Sequence, residues 1–86
     1  MPRICEFFGI IITMYYNDHS PPHFHARYSG NEATILIETL EVYEGSLPRR
    51  ALALVGEWAE QHRKELLIDW DLARKGKKLK TIRPLD

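Results

Sequence analysis

The spacing of the apolar residues changes once along the chain, and this change constrains the fold more than any other feature. Apolar and polar side chains alternate in residues 23–28 and 32–38, which is the pattern of half-buried β-strands. From residue 48 the apolar residues recur at steps of three and four, which is the pattern of an amphipathic helix. The sequence therefore predicts strands first and helices afterwards.

Turn-forming residues divide these two regions into elements. Glycine, proline and asparagine-rich turns predict three to five strands between about residues 4 and 44, placed at 4–8, 10–16, 23–28, 32–38 and 39–44. Residues 48–75 are expected to form two helices, with Ser46 as the first cap, a break near residues 63–65 and Gly76 at the end. We expect an α+β fold in which a small antiparallel sheet is followed by two C-terminal helices packed on one face, because short connections then bury both apolar stripes.

Length and composition indicate an ordinary globular protein. The 86 residues are expected to form one domain, 1–86, with 44% apolar and 28% charged residues. The longest apolar run is too short to span a bilayer, and the N-terminus lacks the pattern of a secretion signal. A single cysteine indicates a reducing compartment, so a cytoplasmic location is expected.

Charge is distributed unevenly although its formal sum is zero. Residues 1–73 carry six Lys/Arg and eleven Asp/Glu, whereas residues 74–86 carry six Lys/Arg and one aspartate. Leu79, Ile82 and Leu85 alternate with these cations in the basic tail of residues 76–86. The tail is therefore expected to lie on an apolar surface, either on its own sheet edge or across a homodimer partner, or to contact RNA or DNA.

The helical region carries large rings that are expected to be structural. Trp58 and Trp70 fall at helical spacing with Leu66, so both are predicted to anchor the core. His62 lies on the same apolar stripe and is predicted to be a core or boundary residue.

The histidine-rich segment of residues 17–28 is the expected functional site. Three of the four histidines fall within seven residues, beside Asp18 and ahead of Arg27, and two prolines stiffen the loop between them. The strand pattern places His23, His25 and Arg27 on the face opposite Phe24. If the helices cover the Phe24 face, we expect the histidine face to be open, with Glu32, Thr34, Thr13 and Tyr15 beside it.

The same segment resembles a known family. The run Asp18-His19 and Pro21-Pro22-His23-Phe24-His25-Ala26, together with Gly45-Ser46-Leu47-Pro48 and Trp70, is similar to the bacterial family called domain of unknown function 4160. The resemblance covers nearly the whole chain. It implies a small bacterial protein that is often encoded beside a second small protein, in an arrangement that resembles toxin–antitoxin pairs. No activity is implied.

Three hypotheses for the site remain open. The first is RNA cleavage by a toxin-like enzyme, a possible ribonuclease, with His23 and His25 as acid and base, Arg27 on the phosphate and Glu32 as an alternative base. The second is a divalent transition-metal site of the zinc type, formed by the four candidate ligands Asp18, His19, His23 and His25. The third is an interaction module without chemistry, because loops and exposed strand faces also bind partners.

Overall fold

A five-stranded antiparallel sheet followed by two helices forms the fold, which confirms the predicted α+β class. The computed structural model describes residues 2–86; position 1 of the expected domain lies outside the described residues. The strands lie in the sheet in the same order as in the chain: β1 (Arg3–Phe7), β2 (Ile10–Thr13), β3 (His23–Tyr28), β4 (Asn31–Leu36) and β5 (Val42–Gly45).

Two of the hairpins close through two-residue turns. Phe8 and Gly9 join β1 to β2, Ser29 and Gly30 join β3 to β4, and all four residues have positive φ. This combination is that of the type I′ turn, whose twist matches the twist of the flanking strands. The loop between β2 and β3 is longer and holds the proline pair.

The predicted alternation sets the core face of the sheet. Ala26 of β3 lies opposite Ile12 and Ala33 in the neighbouring strands, and all three are buried. Phe24, Ile35 and Ile37 are buried as well, as the pattern predicted, and Tyr28 packs against the edge of the core. The core is completed from the helices by buried side chains that include Ala51, Val55, Trp58, Leu66 and Trp70. Both tryptophans are therefore core residues, as expected.

The helical region forms two helices, α1 (Arg49–Gln61) and α2 (Arg63–Arg74), as predicted, with the break at His62. The predicted cap is wrong: the residue at the N-cap is Pro48, and no side chain of the described residues caps α1. Ser46 still takes part in the sheet, because its N–H donates to the Glu32 carbonyl at 3.2 Å. The helix therefore begins later than the predicted cap requires. Gly76 follows Lys75, the C-cap residue of α2, and has φ of 69°, in agreement with its expected place after the helix.

The C-terminal segment packs on the protein's own body, which is one of the alternatives that the sequence left open. The Ile82 N–H donates to the Ile4 carbonyl at 2.8 Å, and the Ile82 side chain is only 2% exposed. Trp58 donates its indole N–H to the Arg83 carbonyl at 2.8 Å. The segment thus covers the outer edge of β1. Within residues 2–86, neither helix has the length and apolar character needed to cross a membrane.

Candidate metal centre

The loop after β2 folds back so that Asp18 meets two histidines of β3. His23 and His25 are two residues apart on one strand, so both rings project from the same face. One ligand atom from each of Asp18, His23 and His25 lies within 4.8 Å of the other two. The site is therefore formed by the loop between β2 and β3 and by the first three residues of β3.

The Asp18 carboxylate lies close to all three histidines of the loop and strand. Its Oδ2 lies 2.8 Å from His23 Nε2 and 3.7 Å from His25 Nε2, while its Oδ1 accepts the His19 backbone N–H at 2.9 Å. Burial raises the pKa of the Asp18 carboxyl, but the hydrogen bonds from His19 and His23 and the charges of both rings lower it below its ordinary value of 3.8. Asp18 is therefore a carboxylate at neutral pH.

The ring of His23 has an acceptor at each nitrogen. Its Nδ1–H donates to the Pro21 carbonyl at 2.7 Å, because a carbonyl oxygen can only accept. Its Nε2 is directed at Asp18 Oδ2. With Nδ1–H as the donor, the lone pair of Nε2 in the neutral ring is available to a cation that the carboxylate would share. The ring is 5% exposed and lies against the Trp70 indole, with centroids 5.0 Å apart.

The ring of His25 has a buried nitrogen without a partner. Its Nε2 is shielded from solvent and forms no hydrogen bond within residues 2–86, although it lies 3.7 Å from Asp18 Oδ2. Its Nδ1 lies 3.3 Å from Thr34 Oγ1 and 3.5 Å from Glu32 Oε2. Burial and the charge of His23 lower the pKa of His25 below its ordinary value of 6.5. The neutral tautomer with Nδ1–H facing Glu32 leaves the lone pair of Nε2 directed at Asp18.

The expected open histidine face is wrong at this end of the sheet. His23 is buried, and the side chain of His25 is only 13% exposed, because the Trp70 and Tyr15 rings lie against them. The alternation correctly separated the two faces of β3, but it does not tell which side chains from other elements cover each face. Thr13 and Thr34 flank His25 in the neighbouring strands, as predicted.

The structure brings together three of the four candidate metal ligands. His19 stands apart: its side chain is 83% exposed, and its Nδ1 lies 3.0 Å from the other carboxylate oxygen, Asp18 Oδ1. Arg27 is exposed. It lies two residues beyond His25 on the same face of β3, and Glu32 is the residue opposite it in β4. The predicted acid–base pair, His23 and His25, is close, with ring centroids 5.3 Å apart.

A cleft of about 260 Å³ opens on the group. Tyr43 and Glu44 of β5 form part of its wall, together with Tyr15, His19 and Thr34. Sequence reasoning did not connect β5 to the site. The position of the edge strand beside β4 follows from the meander. Tyr43 is the extra residue at the irregularity in the β4–β5 pairing, and no local sequence signal marks that irregularity.

The comparisons with known proteins identify a family. No curated protein and no solved structure gives a significant match to the chain. The family model described as "Domain of unknown function (DUF4160)" matches residues 9–71, a span that contains Asp18, His23, His25 and Trp70. The chain therefore belongs to the DUF4160 family, as its histidine-rich segment predicted.

Proposed function

We propose that the protein binds one divalent transition-metal ion through Asp18 Oδ2, His23 Nε2 and His25 Nε2. The observation that carries the proposal is the buried, unpartnered Nε2 of His25, which faces a carboxylate already shared with a second imidazole. An unsatisfied buried polar atom is costly, and a cation at the centre of the three atoms removes that cost.

Distances support a compact site. Ligand atoms around a tetrahedral zinc ion with bonds of about 2.1 Å lie about 3.4 Å apart. The carboxylate oxygen is 2.8 Å from one imidazole nitrogen and 3.7 Å from the other, so small movements of each ring would give that arrangement. Two neutral imidazoles with one carboxylate suit zinc, iron, cobalt or nickel better than calcium or magnesium, which prefer oxygen ligands.

The second ring nitrogens support the same proposal. Metal-binding histidines almost always donate their other N–H to a carbonyl or carboxylate, which fixes the tautomer and the ring orientation. Pro21 supplies the carbonyl for His23, and Thr34 with Glu32 supplies oxygen acceptors for His25.

Three protein ligands leave at least one coordination position for water or a substrate. Such open sites are typical of catalytic rather than structural zinc, where the ion lowers the pKa of its bound water. The cleft beside Tyr15, Tyr43 and Glu44 gives access to that position. We therefore propose a ligand-binding or hydrolytic metal centre.

The geometry favours the metal hypothesis over direct acid–base catalysis by the two histidines. A ribonuclease of that type needs ring nitrogens that reach the 2′-hydroxyl and the leaving oxygen. His25 Nε2 is buried, and both nitrogens of His23 face protein acceptors. The toxin–antitoxin-like role and the small protein partner stay predictions.

The test is a Co²⁺ and Zn²⁺ titration of untagged, chelator-stripped protein, followed by calorimetry and by the visible spectrum of Co²⁺. We expect one ion per chain. His25→Gln and Asp18→Asn should each weaken binding by more than about 100-fold, because loss of a ligand exceeds the 10–100-fold effect of outer partners.

Two histidine variants serve as matched controls. His19→Gln and His62→Gln each remove one imidazole from outside the group of three, so both should keep wild-type affinity. Absence of saturable binding would contradict the proposal. Equal weakening by His19→Gln and His25→Gln would also contradict it, because affinity would then follow the number of histidines rather than the site.

A further inference from the structure

A run of basic residues that starts at Arg74, the last residue of α2, begins beside the proposed metal centre. The Asn17 N–H donates to the Ala73 carbonyl at 3.3 Å, which joins the residue before Asp18 to the last turn of α2. Trp70, one turn earlier, lies against His23. Arg74 is the next residue after Ala73, and the chain then continues through Lys75, Lys77 and Lys78. Cations and candidate ligands thus share one end of the molecule, although they are far apart in sequence.

Most of these cations have no acidic partner within residues 2–86. Lys75 pairs with Asp71 at 3.0 Å, whereas Arg74, Lys77 and Lys78 are exposed and form no ion pair in the described part of the chain. The remainder of the tail turns away and packs on the body through Lys80 N–H, which donates to Asp69 at 2.8 Å. The backbone that carries the three free cations is thus attached to the body at two points, by the Lys77 N–H, which donates to the Leu72 carbonyl at 2.9 Å, and by Lys80.

Exposed aromatic rings flank the same region. Tyr16 is exposed and lies directly before Asn17, and the exposed Tyr43 lines the metal cleft. Cations that follow a phosphate backbone, combined with rings on which bases stack, are the two elements of sites for single-stranded nucleic acid. An acidic protein partner would use the cations but would give no role to the rings around the cleft.

We infer that Arg74, Lys77 and Lys78, together with Tyr16 and Tyr43, form a binding surface for single-stranded nucleic acid that presents a backbone phosphate to the metal centre. The inference rests on the proposed metal site and names its substrate class, a phosphodiester. An exposed phosphate oxygen would occupy the open coordination position beside Asp18 and His25.

The first experiment measures binding without the metal. Fluorescence anisotropy with labelled single-stranded RNA and DNA oligonucleotides is recorded on the full chain over a range of salt concentrations. Arg74→Gln/Lys77→Gln should weaken binding about tenfold near 0.1 M salt and reduce the salt slope by about one to two, as expected for two lost phosphate contacts. Arg49→Gln/Arg50→Gln, which removes two exposed arginines at the start of α1, is the matched control and should behave as wild type.

The second experiment asks whether the bound strand reaches the ion. Adding the oligonucleotide to Co²⁺-loaded protein should change the visible spectrum of Co²⁺, and the Arg74→Gln/Lys77→Gln variant should require about tenfold more oligonucleotide for the same change. Titrations with RNA and with DNA oligonucleotides, compared at the same salt concentration, show which of the two binds more tightly.

Each outcome bears on one of the two proposals. No oligonucleotide binding at low salt, or equal effects of the two double variants, would overturn the inference whether or not a metal binds. Binding without any change in the Co²⁺ spectrum would also overturn it, since the strand would then lie away from the ion. If Co²⁺ itself fails to bind, the proposed metal site fails, and the inference of a phosphate at that site fails with it; the anisotropy data then report a nucleic-acid surface alone.

Discussion

The indole of Trp70 and the imidazole of His23 lie in contact, with ring centroids 5.0 Å apart and planes inclined by 52°. This contact joins α2 to the strand that carries two candidate ligands. The orientation of the His23 ring should consequently depend on how α2 packs against the sheet. A change in the helix should therefore affect the site.

Replacing Trp70 tests this coupling. Trp70→Ala should lower the free energy of unfolding by about 3–5 kcal/mol, because it removes a buried ring from the core. It should also weaken Zn²⁺ binding, because the His23 ring loses the surface that holds it. Urea denaturation and calorimetry measure the two effects. Ile68→Ala, an exposed position on the same helix, should change stability by less than about 0.5 kcal/mol and leave affinity intact. Wild-type Zn²⁺ affinity in folded Trp70→Ala would contradict the coupling.

The depressed pKa of His25 predicts how the metal-free protein responds to acid. Because the pKa of His25 is lower in the folded state than its ordinary value of 6.5, the unfolded chain binds this proton more readily. The free energy of unfolding should therefore fall as pH decreases below 6.5, until the lower folded pKa is reached. His25→Gln should lose less stability than wild type between about pH 7.5 and about pH 5.5 in urea denaturation.

The control for this pH effect is His19→Gln, which leaves His25 in place and should keep the wild-type response. A wild-type pH dependence in His25→Gln would show that other groups cause the loss. Asp18 contributes at lower pH: its pKa is lowered, so its stabilisation is present above 3.8 and is lost as the pH falls from there through the folded value. The two effects therefore occupy different pH ranges.

Ile82 tests whether the C-terminal segment belongs to the core. Its side chain is buried among core residues, so Ile82→Ala should lower the free energy of unfolding by about 2–5 kcal/mol. Its exposed neighbour supplies the comparison, since Thr81→Ala should change stability by no more than about 0.5 kcal/mol. Similar small effects of both changes in urea denaturation would mean that the segment is detached in solution.

Two glycines with similar backbone angles separate conformational strain from steric overlap. Gly45 and Gly30 have φ of 75° and 86°, so alanine is strained at both. A Cβ on Gly45 would also meet the Glu32 carbonyl oxygen, whereas one on Gly30 would have no atom of residues 2–86 within 4 Å. Gly30→Ala should therefore cost about 1 kcal/mol and Gly45→Ala at least about 3 kcal/mol, because β5 must move away from β4. Equal losses in thermal or urea unfolding would exclude the overlap as a cause.

Periodicity accounts for what the sequence predicted well. Phe24 and Ala26 fall on the buried face because every second residue of a strand shares a face. Ala51, Val55 and Trp58 are buried together because residues three and four apart share a face of a helix. The density of histidines alone predicts a functional site in residues 17–28, and this stays a prediction.

The remaining features depend on contacts between distant residues. Trp70, which is distant in the chain, lies against the buried His23 ring. The exposed His19 ring approaches Asp18 Oδ1 and not Oδ2, the oxygen that faces the other two histidines. The Ser46 cap failed because the β4–β5 pairing competes for its backbone. The position of Arg74 beside the site follows from the bond between Asn17 and Ala73, for which neither segment carries a local signal.

The hydrogen bond between Ile82 and Ile4 has a consequence for how the protein is made. Residue 82 is synthesised long after β1, so the Ile4 carbonyl on the outer edge of this strand lacks its Ile82 donor until residue 82 has emerged. During translation this edge is open to pairing with other chains, which is a recognised route to aggregation. A stall in translation before residue 82 would therefore leave a sheet whose first strand is uncovered at Ile4.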